Sequence, residues 1–146
     1  MEPLPHCDFD SDRLVLKFDV QFSADLNEVV NAVDRIMNVV REMSCASGSE
    51  FEIELALREA LVNAVVHGCK SDPDKIVQCC VACDETRGLL IVVRDPGPGF
   101  DLASLPNPVV GQNLFASHGR GIYMINQLMD EVIFKRGGTE IHMRKK

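Results

Sequence analysis

Apolar residues occupy every second position from Leu14 to Phe22, in the segment LVLKFDVQF. This period of two places the apolar side chains on one face of an extended strand, because successive side chains of a strand point to opposite sides. The segment is therefore predicted to form a half-buried β-strand. Residues 1–12 before it are polar and contain proline, and they are interpreted as a loose N-terminal lead-in.

A period of three to four residues replaces the alternation after this strand, and it predicts two helices. The first helix follows Ser23 or Asp25, either of which is a suitable N-cap. Its apolar positions are Leu26, Val29, Val30, Val33, Ile36, Met37 and Val40. The second helix is predicted from about residue 50 to residue 67, and it ends at Gly68 because glycine is preferred after a helix C-terminus.

Two apolar segments, 75–85 and 88–95, predict strands joined by a turn near 86–88, and this close spacing favours an antiparallel pair. Residues 96–119 are rich in proline and glycine and show neither period. A loop of this length is uncommon in a compact domain unless it has a function, so it is predicted to be a lid. A helix after the loop and a final hairpin of strands near 131–135 and 139–145 complete the chain.

The order of these elements predicts the fold class. Strand, helix, helix, strand, strand, lid, helix, strand, strand is typical of an α/β two-layer sandwich, in which helices cover one face of a mixed, mostly antiparallel sheet. The 146 residues show no internal repeat and no linker. Residues 13–146 are therefore predicted to form a single domain.

The formal net charge of −7 argues against nucleic acid or an anionic membrane as a direct partner. No apolar segment approaches the ~18 residues of a membrane span, and the N-terminal residues MEPLPHCDFD lack the regions of a secretion signal, so a cytoplasmic location is expected. In that compartment the six cysteines are expected to be reduced, packed thiols. The spacing of Cys80 and Cys83 leaves a metal half-site as the alternative, although no second pair at zinc-finger spacing accompanies it.

Three polar residues share one edge of the second predicted helix. Glu59, Asn63 and His67 are spaced by four positions within the segment EALVNAVVHG, so a carboxylate, an amide and an imidazole lie in a row. The amide oxygen of Asn63 is a suitable ligand for Mg²⁺. One turn away, Glu59 can orient or deprotonate an attacking hydroxyl. A solvated helix face is the alternative interpretation of the row.

Two glycine-rich segments add to this row. The first, DPGPGF, follows an apolar strand: Asp95 can accept a hydrogen bond from the exocyclic amine of adenine, and Gly97 and Gly99 allow a close approach of the backbone to a ligand. The second, GRG at 119–121, opens a helix, where free N–H groups and the helix dipole favour phosphates. Taken singly, the first segment can also be a simple turn and the second a flexible entry to a helix.

In this order and at this spacing, the three segments resemble the N, G1 and G2 boxes of the GHKL or Bergerat-fold ATPases. Within that superfamily the chain resembles the bacterial anti-sigma factor serine kinases of the RsbW type. The segments EALVNAVVHG, DPGPGFD and GRGIYMINQLMDEV all look like their forms of the three boxes. The resemblance covers the chain from about residue 14 to residue 143.

The resemblance implies a catalytic and phosphate-binding set. Asn63 would be the Mg²⁺ ligand and Glu59 the general base for phosphoryl transfer from ATP. The residues expected to contact the phosphates are Gly119, Arg120 and Gly121.

The resemblance also implies an adenine-binding set. Asp95 would read the adenine, with Gly97 and Gly99 behind it, and Thr139 would support the adenine site. It assigns no certain role to His67. Contacts from the lid to the γ-phosphate would come from the backbone or from the side chains of Asn113, Ser117 and His118.

The function implied by the resemblance is an ATP-dependent protein serine kinase that acts as an anti-sigma factor by partner switching. Such a protein phosphorylates a serine of a STAS-domain antagonist, sequesters a sigma factor while the antagonist is phosphorylated, and commonly forms homodimers. A non-catalytic regulator, in which bound ATP stabilises a partner-binding conformation, is the alternative. The catalytic module of a histidine kinase is argued against, because none of the four histidines lies in an upstream helical hairpin.

Overall fold

A computed structural model describes residues 14–99 and 117–146, which form a five-stranded sheet and three α-helices. The strands are β1 (Leu14–Ser23), β2 (Ile76–Asp84), β3 (Gly88–Arg94), β4 (Glu131–Lys135) and β5 (Glu140–Lys145). The helices are α1 (Leu26–Glu42), α2 (Glu50–Asn63) and α3 (Ser117–Leu128). This order agrees with the prediction, while the lead-in and most of the predicted lid lie outside the described residues.

The strands are arranged in the order β1-β2-β3-β5-β4, and every neighbouring pair is antiparallel. The predicted α/β two-layer sandwich is therefore confirmed, and the described part of the sheet is wholly antiparallel rather than mixed. Short turns connect β2 to β3 and β4 to β5, as the sequence predicts for two hairpins. Strand β3 lies at the centre of the sheet, and its last residue directly precedes Asp95.

The N-terminus of α1 is capped by Asp25, whose Oδ1 accepts a hydrogen bond from the backbone N–H of Asn27 at 2.8 Å. Ser23, the other candidate for this cap, is the last residue of β1. The predicted apolar stripe of α1 is buried except at Leu26 and Val30, which are 49% and 59% exposed. Within the described ranges, no helix is both long and apolar enough to span a membrane.

One hydrophobic core joins the helices to a single face of the sheet. Its strand members occupy alternate positions, for example Val77, Cys79 and Val81 of β2, because only every second side chain of a strand faces the helices. Ile53 and Leu57 of α2 are fully buried in this core. A separate buried cluster lies on the opposite face of the sheet and consists of Cys80, Ala82, Leu90 and Val92.

The described cysteines only partly agree with the expectation of packed thiols. Cys45, Cys69, Cys79 and Cys83 are free, and burial raises the pKa of Cys79 to about 12, so that residue stays a neutral thiol. Cys80 departs from the expectation because it is disulfide-bonded. Cys80 and Cys83 also belong to clusters on opposite faces of the sheet, since they are an odd number of positions apart on β2, and they do not face a common metal ion.

Candidate functional site

The C-terminal end of α2 widens into a π-helical turn, Ala64–Gly68, directly after Asn63. The backbone N–H of Cys69 donates to the carbonyl of Ala64 at 2.8 Å, which is the i to i+5 spacing of a π-helix. The uninterrupted helix predicted from 50 to 67 therefore changes its winding in its last turn. Turns of this kind are frequent at functional sites, and here Asn63 and His67 line the same cavity.

Gly68 ends the π-turn against the side chain of Asp95. A Cβ atom added at Gly68 would lie 2.5 Å from either carboxylate oxygen of Asp95, so only glycine fits at this position. A Cβ atom at Gly97 would likewise collide with the carbonyl oxygen of Gly68. The sequence predicts Gly68 only as a helix end, although its place at the end of the segment EALVNAVVHG is a signal that it belongs to the site.

Asp95 is held in place by hydrogen bonds with two neighbouring residues. Its backbone N–H donates to the carbonyl of Thr139 at 2.9 Å, and its Oδ1 accepts a hydrogen bond from the N–H of Gly97 at 2.8 Å. Burial raises the pKa of the Asp95 carboxyl to about 6, although the Gly97 hydrogen bond and the charge of Lys75 act in the opposite direction. Asp95 therefore presents an oriented acceptor whose charge changes just below neutral pH.

A cavity of about 300 Å³ lies between α2, α3 and the sheet, and it is called the inner cavity below. Four residues predicted from the sequence line it: Asn63, Asp95, Gly99 and Thr139. Much of the remaining wall is apolar and consists of Ala60, Ala64, Val93, Ile122, Ile125, Phe134 and Ile141. An apolar wall with the half-buried carboxylate of Asp95 suits a flat aromatic base that carries an amine.

A second space, of about 650 Å³, runs between α2 and α3 and is called the interhelical groove. Glu59, Arg120 and Gly121 line this groove, which shares Asn63 and His67 with the inner cavity. A Cβ atom at Gly121 would lie 2.9 Å from Oε2 of Glu59 and 3.3 Å from Nδ2 of Asn63. The start of α3 therefore packs directly against the row of polar residues on α2.

The remaining predicted site residues are Gly97, Gly119 and the three candidates of the lid. Gly97 lies behind Asp95 and is not part of the described cavity wall. Gly119 lies in the first turn of α3, together with Ser117 and His118. Asn113, the remaining candidate of the lid, lies outside the described residues.

The sequence profile of the histidine kinase-like ATPase domain matches residues 22–145. The chain belongs to the histidine kinase-like ATPase domain family. An anti-sigma F factor of Geobacillus stearothermophilus is 28% identical over 132 residues, which cover 86% of this chain and 89% of that relative. The serine-protein kinase RsbW of Bacillus subtilis is 31% identical over 103 residues, which cover 64% of this chain and 62% of that relative. These relatives confirm the predicted resemblance to ATPases of the RsbW type.

Membership of this ATPase family implies that ATP is the nucleotide. The inner cavity's volume of about 300 Å³ and its apolar wall suit an adenine ring beside Asp95. The amide of Asn63 and the carboxylate of Glu59 offer the hard oxygen ligands that Mg²⁺ prefers. Asn63 borders both the inner cavity and the interhelical groove.

A buried ion pair lies on the opposite face of the sheet, at the residues that directly precede Asp95 and follow Thr139. Nε of Arg94 donates to Oε2 of Glu140 at 2.7 Å, and Oε1 of Glu140 lies 2.7 Å from Nε2 of His142. Burial alone would raise the pKa of Glu140, but the hydrogen bonds and charges of His142 and Arg94 lower it. Arg94 and Glu140 are paired in register, so the ion pair holds β3 to β5 where Asp95 and Thr139 leave the sheet.

Proposed function

We propose that the protein is an ATP-dependent serine kinase and anti-sigma factor that acts by partner switching. It phosphorylates a serine of a STAS-domain antagonist and sequesters a sigma factor while that antagonist is phosphorylated. The observation that carries the kinase part is the position of Glu59 beside Asn63 and Gly121, where the inner cavity meets the interhelical groove. The names of the relatives, anti-sigma F factor and serine-protein kinase, support the same proposal.

The proposed residue roles differ between the inner cavity and the interhelical groove. In the inner cavity, Asp95 accepts the hydrogen bond of the adenine amine and Thr139 supports the carboxylate through the backbone contact described above. Gly97 and Gly99 keep the backbone close to the base. At the border of the two spaces Asn63 binds Mg²⁺. The residues proposed to contact the phosphates are Gly119, Arg120 and Gly121.

Glu59 is proposed as the general base. Its carboxylate lines the groove rather than the inner cavity, so it faces the side from which an acceptor hydroxyl approaches. Accepting the hydroxyl proton there makes the oxygen a better nucleophile, and positioned bases of this kind contribute about 10²–10⁴-fold to the rate. Positioning and charge neutralisation supply the rest of the catalysis in phosphoryl transfer.

The proposed partners are a STAS-domain protein, a sigma factor and a second copy of the chain, with neither nucleic acid nor membrane bound directly. Strand β1 lies at the edge of the sheet, and α1 exposes Leu26 and Val30, so this side of the molecule is proposed for homodimer contacts. We further propose that residues 13–146 act in the cytoplasm as one ATP-binding domain whose lid is formed by residues 96–119.

Two measurements test this proposal. The first is calorimetric titration with ATP, with and without Mg²⁺, and the second is an assay of phosphate transfer to a STAS-domain protein. Glu59→Gln keeps size and hydrogen bonding but removes the base, so we expect ATP binding near the wild-type level and transfer lowered about 10²–10⁴-fold. Asn63→Ala removes a metal ligand, so we expect both ATP affinity and transfer to fall. Glu52→Gln is the matched control, because Glu52 is a half-exposed carboxylate of the same helix that lines neither space.

The outcomes separate the kinase from its alternative. If the wild-type protein binds Mg²⁺-ATP but transfers no phosphate, the non-catalytic regulator is the better description. Wild-type transfer rates in Glu59→Gln would show that this residue is not the base. Absence of nucleotide binding at millimolar ATP would reject both functions.

A further inference from the structure

The interhelical groove is built from matching stripes on two helices. Helix α2 and the π-turn after it contribute Glu59, Val62, Asn63 and Val66, and α3 contributes Arg120, Tyr123, Met124 and Gln127. Each set has the spacing i, i+3, i+4, i+7, which defines one face of a helix. Two such faces opposite each other form an elongated groove.

The groove combines an apolar surface with the carboxylate of Glu59. Four of its apolar side chains are only half-buried, and these are Val62, Val66, Met124 and Leu128. At its rim Tyr123 is 42% exposed and Gln127 is also exposed. An aromatic side chain with its ring in solvent beside half-buried apolar residues is typical of a protein-binding surface, where such residues act as anchors.

Access to Glu59 decides what the groove binds. Glu59 lines the groove and not the inner cavity, whereas Asn63 and His67 line both. A hydroxyl that gives its proton to Glu59 therefore reaches it along the groove, while the nucleotide base reaches Asp95 through the inner cavity. The two substrates of a phosphoryl transfer then meet at Asn63 from two sides.

We propose that the interhelical groove binds an extended segment of the acceptor protein that carries the serine to be phosphorylated. This inference rests on the kinase activity proposed above. The serine hydroxyl lies at Glu59, and apolar side chains next to the serine pack on the groove, with Tyr123 as the anchor. The groove continues directly into the nucleotide site through Asn63 and His67, and this continuity favours the acceptor segment over any other occupant.

The proposed chemical step is transfer of the γ-phosphoryl group from ATP to the serine hydroxyl. The serine Oγ forms a bond to the γ-phosphorus of ATP, and the bond from that phosphorus to the β-phosphate oxygen breaks with its electron pair leaving on ADP. The proton of the serine goes to the carboxylate of Glu59. Arg120 and Gly121 line the same groove as Glu59, and they would stabilise the charge that develops on the phosphates when ATP is bound.

Steady-state kinetics test the groove with a purified STAS-domain protein as the probe, chosen as one that the wild-type chain phosphorylates. Tyr123→Ala removes the anchor and Gln127→Arg places a larger, charged side chain at the rim. We expect each to raise the KM for the STAS-domain protein about tenfold, as truncation of an anchor residue does, with the Kd for ATP unchanged. Tyr123→Phe keeps the ring, so its KM should stay near wild type.

Ile133→Ala is the matched control, because Ile133 is a 43% exposed apolar residue on β4 that does not line the groove. An acceptor KM within twofold of wild type in both Tyr123→Ala and Gln127→Arg overturns the inference but not the kinase. A loss of kcat alone also overturns it, because Tyr123 would then act on the reacting atoms. A change in oligomeric state in Tyr123→Ala would assign the groove to a second copy of the chain. Absence of transfer by the wild-type protein overturns the kinase and the groove together.

Discussion

Lowering the pH from 7 to 5 is expected to weaken the binding of adenosine, because it protonates Asp95. Burial raises the pKa of this carboxyl to about 6, against the effects of the Gly97 hydrogen bond and of Lys75. The ionised carboxylate accepts a charge-assisted hydrogen bond from the adenine amine, and such bonds are roughly twice as strong as neutral ones. The protein that binds adenine best is therefore the one with Asp95 ionised.

The magnitude follows from the titration. With a pKa of about 6, Asp95 is about nine-tenths ionised at pH 7 and about one-tenth ionised at pH 5. If only the ionised form binds, the Kd for adenosine rises about tenfold across this range, and bound adenosine in turn lowers the pKa of Asp95. The effect on folding has the opposite sign: the folded-state pKa lies above the ordinary value of 3.8, so this group favours the folded state more as the pH falls from 6 to 4. Weaker binding at pH 5 is thus not acid unfolding by this group.

Calorimetry with adenosine is the appropriate assay, because the nucleoside lacks phosphate groups that titrate near pH 6. Asp95→Asn keeps an acceptor oxygen but cannot ionise, so we expect weaker binding that is independent of pH. Guanosine lacks the amine at the position that Asp95 reads, so its binding should be weak and flat between pH 5 and 8. An adenosine Kd that does not change over this range would refute the reasoning, as would a tenfold change retained in Asp95→Asn.

Two further substitutions test the supports of the site. In Gly121→Ala the new Cβ would lie 2.9 Å from Oε2 of Glu59, which is the far end of a flexible side chain, so the fold should persist while Glu59 is displaced. We expect phosphate transfer to fall about 10²-fold, with ATP affinity less affected. Asn126→Ala changes an exposed residue of the same helix, and an equal effect there would contradict this explanation. Glu140→Ala removes the buried partner of Arg94 and should lower the free energy of unfolding by about 3–5 kcal/mol at pH 7, measured by urea denaturation. Because the pKa of Glu140 is lowered in the folded state, that difference should shrink as the pH falls below the ordinary carboxyl range; a difference that is constant with pH would refute the electrostatic explanation.

The elements of the fold were largely predictable because their signals are local. The alternation from Leu14 to Phe22 and the helical period of α1 report directly which face is buried, and the structure confirms both. The all-antiparallel pairing was not predictable in full, since it depends on contacts between distant segments. The π-turn was missed for a related reason. The segment AVVHG has no composition that separates a π-turn from the end of an α-helix, and the turn is recognised only from its hydrogen bonds.

In the candidate site, too, residues in recognisable segments were predictable from the sequence, whereas contacts between distant segments were not. The order of the boxes predicted that Asn63 and Asp95 would meet, and the family resemblance added Thr139; the structure places all three on the inner cavity. The buried Arg94–Glu140 pair was beyond sequence reasoning, because charged residues at outward positions of strands are ordinarily solvent-exposed. Only the register of β3 with β5 shows that the two charges meet.

The shared wall between the two spaces has a thermodynamic consequence for the proposed partner switching. Asn63 and His67 border both the inner cavity and the interhelical groove, so a ligand in either space acts on the same two side chains. If bound nucleotide changes the affinity of the groove for a protein segment by some factor, the segment must change the affinity for nucleotide by the same factor. Coupling of this kind needs no distant pathway, because the two spaces share Asn63 and His67. The widened π-turn that carries His67 is the part of this wall where a change of helical winding could transmit the effect.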